Sequence, residues 1–348
     1  MNRIRQRIMD ECNNYELVET PPFPRNMLLE VTNICNHSCL FCANSKMTRK
    51  KGMINQKLAK RILGEAYQNG IRDVGFYATG EPLVNPDLET YIQYAKELGY
   101  EYTYLTTNGA LFTQERMKKV IEAGIDSIKF SINASTADEY KMIHGNDDFE
   151  KVIDNLKLLW KIRQENNYKY KIYVSYIKTC YTENDTELIE KIKDYSDDIL
   201  VSRCMNQGGG MQEINKYLIS EKDASDDYLW KRKMICPIIF NCLYVSYEGY
   251  LTMCCADFQN YLAVADLNKE SIENAWINEY AKKLRKKHIE HKLEGTLCFN
   301  CLHNCRSDIE PLCNELATIC NMNSWDKSKE IENRINNYLL AHEKREQL

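Results

Sequence analysis

No stretch of the chain stays apolar for the roughly 18 residues that a membrane-spanning helix needs, and no internal repeat or low-complexity segment is present. An excess of one charge is missing as well: 46 basic and 50 acidic side chains leave a formal charge of −4. That balance lacks the basic footprint of a nucleic-acid-binding protein. The start is basic, with Arg3, Arg5 and Arg7, but lacks the apolar core of a secretory signal. These absences lead to the expectation of a cytoplasmic protein with neither a membrane nor a nucleic acid as partner. At 348 residues the chain has room for about two domains and a large core.

Cysteine, by contrast, is abundant. Fifteen cysteines in a long chain without a secretory signal favour metal ligation over a disulfide framework. Three fall at 35–42 and nine between 236 and 320, leaving Cys12, Cys180 and Cys204 elsewhere. In Cys35-Asn-His-Ser-Cys39-Leu-Phe-Cys42 three thiolates share one tight loop. A structural zinc site takes four ligands, so zinc would need His37 or a distant residue as the fourth. An iron–sulfur cubane on three thiolates instead keeps one iron open for a ligand.

From about residue 27 to 205, strand-like and helix-like segments alternate. Strands are expected at 27–32, 73–78, 101–107, 127–132, 170–177 and 198–202. Helices are expected at 55–68, 87–98, 113–123, 148–164 and 184–194, two of them stopped by Gly99 and Gly124. Such alternation implies an α/β fold with a parallel sheet, ligands lying beyond the strand C-terminal ends. The cysteine loop follows the first strand and so sits at that end.

With Phe41 directly before the third cysteine, this loop resembles that of the radical SAM superfamily. Ala78-Thr-Gly-Glu-Pro82 after strand two matches the family's G-G-E-P signature, Thr79 replacing the first glycine. The resemblance implies a partial (β/α)6 TIM-like barrel and a 4Fe-4S cluster whose open iron is chelated by the methionine part of S-adenosylmethionine (SAM). By the same resemblance Gly80 and Glu81 bind the SAM amino group, and Ser131 its carboxylate or ribose. Thr107, Asn108 and Asn133 would face SAM or substrate, although hydroxyls and amides at such positions also serve as turn and cap residues. The fifth strand departs from the family pattern G-x-I-x-G-x-x-E: Ser175 and Thr179 flank Ile177, which would still support the adenine.

In the last third, an apolar run after Cys236 and the segment Tyr247-Glu-Gly-Tyr-Leu-Thr-Met-Cys254-Cys255 read as a hairpin that brings Cys236 and Cys254 together. With Cys298-Phe-Asn-Cys301 downstream, the order resembles the twitch and SPASM extensions of radical SAM enzymes, in which four such positions hold an auxiliary 4Fe-4S cluster; a zinc ribbon uses similar pairs. A second auxiliary cluster would draw on Cys242, Cys305, Cys313 and Cys320, with Cys255 a buried neighbour. The expected layout is an N-terminal extension at 1–26, the barrel at 27–220, a small cysteine-rich auxiliary domain at 230–325 and a C-terminal helix at 326–348. Gln207-Gly-Gly-Gly-Met211 is expected to be the exit from the barrel.

The resemblance implies reductive cleavage of SAM to a 5′-deoxyadenosyl radical that removes a hydrogen atom from a buried substrate, with oxidation, epimerisation or rearrangement as the outcome. A one-electron donor such as flavodoxin or ferredoxin is implied. Cys180 and Cys204, near the ends of strands five and six, are candidate hydrogen-atom donors, against a reading as small packing residues. The short segment before the first strand favours a small metabolite (sugar, aminocyclitol or nucleotide-linked) over a peptide as substrate. Two non-catalytic alternatives are an electron-transfer module and a zinc-stabilised binding protein.

Overall fold

A computed structural model describes residues 15–182, 186–205, 207, 217, 235–293 and 296–303. The expected C-terminal helix, Cys12, Cys305, Cys313, Cys320 and most of the glycine run lie outside the described residues.

One nine-stranded sheet organises the chain. Six parallel strands follow in chain order: Asn26–Leu29 (β1), Asp73–Gly75 (β2), Tyr102–Thr107 (β3), Ser127–Ser131 (β4), Lys171–Lys178 (β5) and Asp198–Arg203 (β6). On the other side of β1 lie Cys242–Val245 (β7), Tyr250–Thr252 (β8) and Ala263–Asp266 (β9). β7 runs parallel to β1, and β8 and β9 are antiparallel to their neighbours. The sheet order runs from β6 through β1 to β9 without closing, so the barrel is open and continues directly into the cysteine-rich region.

Six helices accompany the barrel strands: Gln56–Gln68 (α1), Leu88–Leu98 (α2), Gln114–Glu122 (α3), Ala137–His144 (α4), Phe149–Asn166 (α5) and Thr186–Ile192 (α6). Their starts follow capping chemistry: the Asn55 side chain accepts from the Lys57 and Leu58 amides, and Thr113 and Thr136 do the same for α3 and α4. The period of two in the strands sorts side chains between two faces. Met27, Leu29, Val74, Leu105, Ile128, Phe130, Ile172 and Val174 join the apolar faces of the helices in the main core. The opposite face carries Leu28, Tyr102, Tyr104 and Tyr244 as a separate aromatic cluster that fills the floor of the barrel lumen. The Tyr102 hydroxyl donates to Ser127 at 2.7 Å and that of Tyr104 to Asn26 at 2.8 Å, satisfying the phenols where water is excluded.

Differences from expectation cluster at the strand ends. β1 and β2 stop earlier than hydrophobicity suggests, because both chains leave the sheet to build the top of the barrel. Glu30 still donates its amide to the Val245 carbonyl at 2.9 Å, and Thr32 forms an isolated bridge with Met53. Helix α4 was not expected, and the helix expected at 184–194 is α6 followed by a tight turn at Lys193–Tyr195.

The cysteine-rich region adds the short helices Ile238–Asn241 (α7), Ile272–Trp276 (α8), Glu279–Ile289 (α9) and Leu297–His303 (α10). The described part of the N-terminal extension packs against this region rather than the barrel helices. Trp276 donates its indole N–H to the Pro21 carbonyl at 3.0 Å, and Phe23 lies 5.8 Å from the Trp276 ring.

Candidate functional site

The cysteine loop hangs between β1 and α1 and is closed at its base by Asn33. The Asn33 amide donates to the Lys50 carbonyl at 2.9 Å, and its oxygen accepts the Gly52 amide at 2.8 Å. The tip rests on the end of α4: the Ser38 and Leu40 amides donate to the His144 and Ile143 carbonyls at 3.1 and 2.9 Å. Cys39 Sγ lies 3.3 Å from His144 Nδ1. Burial pushes the Cys35 thiol up to about 11 and raises Cys39 and Cys42 too, and the sulfurs of Cys35 and Cys42 raise Cys39 further. Three crowded, half-buried sulfurs of this kind are stable thiolates only beside strong positive charge, which a bound iron centre would supply.

The strand ends close around this loop. Glu81 is fully enclosed, and its carboxylate accepts the Thr107 hydroxyl at 2.7 Å, the Asn108 amide at 2.7 Å and the Leu83 amide at 3.0 Å. Its side chain ties the segment after β2 to β3. Gly80 lies against the same loop. A Cβ there would lie 2.4 Å from the Thr32 carbonyl oxygen and 2.7 Å from that of Ile34, so glycine is required by the base of the cysteine loop.

Thr107 is turned inward to Glu81, whereas Asn108 donates from Nδ2 to Asn36 Oδ1 at 2.8 Å, next to Cys35. Asn133 accepts the Ile177 amide at 2.9 Å and faces His144 with its own Nδ2 at 3.3 Å, so its amide braces β5 and α4. Ser131 and Ser175 sit side by side on β4 and β5, hydroxyls 3.4 Å apart and half-buried. Phe41 packs with Ile143 and Cys204, and Ile177 completes that apolar patch. Cys180 is exposed.

Burial also pushes the Glu81 carboxyl up to about 7, against the pull of its three hydrogen bonds. The folded state thus holds its proton more tightly than the unfolded chain. Stability from this group is full below the ordinary carboxylate range and lost as pH rises through about 7. Urea unfolding of the metal-free protein should weaken from pH 4.5 to 7.5 by on the order of 3 kcal/mol, and Glu81→Gln should flatten that slope.

The second constellation forms around β8. Burial raises the Cys236, Cys254 and Cys298 thiols, and each is raised further by the others or by Cys301. Cys236, Cys254, Cys298 and Cys301 thus lie near one another. Cys255 lies beside them, acts on Cys254 more strongly than the other sulfurs do, and also packs against the tyrosines of the lumen. Cys242 does not join the group. It shares its strand face with Tyr244, and its sulfur accepts from Asn26 at 3.6 Å on the lumen floor. Its proposed partners in a second auxiliary cluster, Cys305, Cys313 and Cys320, lie outside the described residues.

Arg49 joins the two constellations. Fully buried, it is ion-paired with Glu30 beyond β1 and with Glu248 in the β7–β8 turn, donating from Nε to Glu248 at 3.0 Å. Gln259 accepts the Thr48 amide at 3.0 Å, and the Tyr247 hydroxyl donates to the Lys50 carbonyl. Sequence reasoning passed over Arg49, since an arginine among lysines reads as a solvated face. His144 was passed over with its helix, although Thr136 and Gly145 bracket α4 as a cap pair.

Two family models match these two regions. The model of the Radical SAM superfamily matches residues 29–179, and that of SPASM, an iron–sulfur cluster-binding domain, matches residues 236–302. The chain carries a radical SAM domain and, at its C-terminal side, a SPASM iron–sulfur domain.

The radical SAM domain carries a 4Fe-4S cluster with SAM, and the SPASM domain carries auxiliary iron–sulfur clusters. The residues present fit these groups: buried thiols converge in both places, three on the loop and four around β8. Among curated relatives, an uncharacterized protein of Methanocaldococcus jannaschii is 27% identical over 181 residues, 51% of this radical SAM chain and 57% of that protein. A probable GTP 3′,8-cyclase of Saccharolobus solfataricus is 31% identical over 132 residues, 38% of this chain and 42% of that one. The chain thus spans about half the length of the curated relatives it matches. Among solved structures, SuiB of Streptococcus suis bound to its precursor peptide SuiA superposes with a TM-score of 0.59 at 14% identity, over 80% of this chain and 69% of that one. BtrN in complex with AdoMet and 2-DOIA gives 0.53 at 18% identity, over 82% and 94%. These structures share the fold.

Proposed function

We propose that this chain cleaves SAM reductively and removes a hydrogen atom from a small, hydroxyl- or anion-bearing metabolite such as a sugar, aminocyclitol or nucleotide-linked compound. The observation that carries this reading is the convergence of Cys35, Cys39 and Cys42 over the ends of β1 to β5, above a lumen whose floor is already filled by tyrosines. When bound, the three-thiolate cluster and SAM supply the electron and the 5′-deoxyadenosyl radical, and the auxiliary cluster supplies an electron acceptor.

The chain's own residues provide the mould. Ser131 and Ser175 present adjacent hydroxyls for the SAM carboxylate or ribose, and Phe41 with Ile177 presents an apolar wall for the adenine. The backbone around Thr79 and Gly80, held against the loop by the Glu81 amide donating to the Ile34 carbonyl at 2.9 Å, serves the amino group. Glu81, Thr107, Asn108 and Asn133 brace that mould from behind. Lys129, on the lumen face of β4 with its ammonium 5.7 Å from the Tyr77 ring centre, and the hydroxyls beside it suit a polar small molecule. The relative named for GTP and the BtrN complex with 2-DOIA support the small-molecule reading. Cys204 takes the role of wall residue beside Phe41; Cys180, exposed, has no part in the mould.

The test is anaerobic incubation with SAM, a reductant (dithionite or a flavodoxin) and deuterated candidates from both metabolite and peptide classes. Deuterium appearing in 5′-deoxyadenosine from a metabolite is the expected result. Transfer from a peptide alone would overturn the substrate class. Stoichiometric zinc in place of iron and sulfide would overturn the chemistry.

A further inference from the structure

Helix α4 places His144 against the cysteine loop, and the hydrogen bonds around its ring define where its proton sits. The Asn133 backbone N–H, which can only donate, meets Nε2 at 3.4 Å. The Asn133 side chain is oriented by the Ile177 amide, which donates to its Oδ1, so its Nδ2 also turns toward Nε2, at 3.3 Å. Nε2 is thus the acceptor, and the neutral ring carries its hydrogen on Nδ1, 3.3 Å from Cys39 Sγ. The ring is stacked on Tyr140 at 4.0 Å and 13°, and the Ser38 amide bonded to the His144 carbonyl sets the loop's register against it. A Cβ at Gly145 would lie 2.2 Å from Ser38 Oγ, so the helix end and the loop tip approach without room for a side chain.

We propose that His144 is a positioning residue that donates an N–H···S hydrogen bond to Cys39 and so raises the reduction potential of the SAM-binding cluster. The inference rests on the reading of Cys35, Cys39 and Cys42 as that cluster's ligands. A donor on a ligand sulfur stabilises the reduced, more negative cluster more than the oxidised one, and hydrogen bonds to sulfur are a recognised determinant of cluster potential. The same imidazole reaches β5 through Asn133, so the ligand sulfur and the strand carrying Ile177 are braced by one side chain.

The experiment is an EPR-monitored redox titration of the reconstituted full chain without SAM, which reads the cluster and not turnover. His144→Phe keeps the ring and its stacking but removes the donor, whereas His144→Asn keeps an N–H near the position of Nδ1. His144→Phe should make cluster reduction roughly tenfold less favourable, about 59 mV for one electron, and His144→Asn should restore most of the difference. Should His144→Phe not assemble a cluster, His144→Asn is compared with His144→Asp, which is of similar shape but offers only acceptors when ionised; a more negative potential in the Asp variant supports the proposal. A wild-type potential in His144→Phe, equal potentials in the Asn and Asp variants, or loss of the cluster from all variants alike overturns it. Failure of SAM cleavage with these potentials unchanged would count against the proposed function and not against His144.

Discussion

Alanine at Cys39 is expected to abolish formation of 5′-deoxyadenosine from SAM and to remove about four iron atoms per chain, leaving the auxiliary iron in place. Cys39 is hemmed in by its surroundings: the α4 backbone on one side, His144 at 3.3 Å on another, and Cys35 and Cys42 near enough to raise its pKa. No other described side chain takes up its position, so two thiolates remain and the cubane loses an anchoring corner. Cys236, Cys254, Cys298 and Cys301 belong to a different part of the chain, so iron bound there should persist. Cys242→Ala is the companion variant: its sulfur meets Asn26 on the lumen floor, so the SAM-binding iron and the iron around Cys236 should both remain. Iron and sulfide analysis with a SAM-cleavage assay on the three proteins decides the matter. Full cleavage by Cys39→Ala would remove the cluster assignment, and iron loss in Cys242→Ala would place that residue among the ligands of a further cluster.

Arg49→Met is expected to destabilise the fold by about 3–5 kcal/mol and to lower iron retention at both cysteine groups. The arginine is the cation between the Glu30 and Glu248 carboxylates, all three almost wholly buried. Removing it leaves two carboxylates desolvated without a counterion, which costs far more than the pair contributes when intact. Burial pushes the Glu248 carboxyl up, but Arg49 outweighs it and holds the group below the ordinary carboxylate range. In the wild type, the stability from this group is therefore present above the ordinary range and lost as pH falls through the lowered value. In the variant the group is raised instead, so the difference between the proteins should shrink toward acid pH. Thermal or urea unfolding at pH 5 and 7.5 measures this, and Arg49→Met/Glu248→Gln should recover part of the loss. A pH-independent difference below about 1 kcal/mol, the scale of an exposed pair, would show that the triad does not clamp the two domains.

Much of the site was legible before any coordinates. The cysteine triplet, Phe41 and the Ala78–Pro82 segment are local signals, because a strand must end and a loop must turn within a few residues. The six-unit α/β pattern was equally legible, since period-two apolar runs and capped amphipathic segments follow from backbone geometry. Glu81 was found, but its side-chain partners were not: that its carboxylate reaches the neighbouring strand depends on a residue 26 positions away in sequence. Cys242 stands among the late cysteines in the sequence, but only the parity of β7 shows that its side chain shares the face of Tyr244 and meets Asn26.

By itself the sequence determined the chemistry available: two sets of thiols, glycine and hydroxyl residues at strand ends, and the open α/β frame that brings those ends together. Only the tertiary structure decided which side chains serve that chemistry and which support it. Pairing of β7 with β1 made one sheet of two domains, and the burial of Arg49 between Glu30 and Glu248 fastened them. The unexpected helix α4 set a histidine on Cys39. Each of these depends on contacts between residues far apart in the chain, where burial and the need to satisfy every enclosed polar group choose the partner.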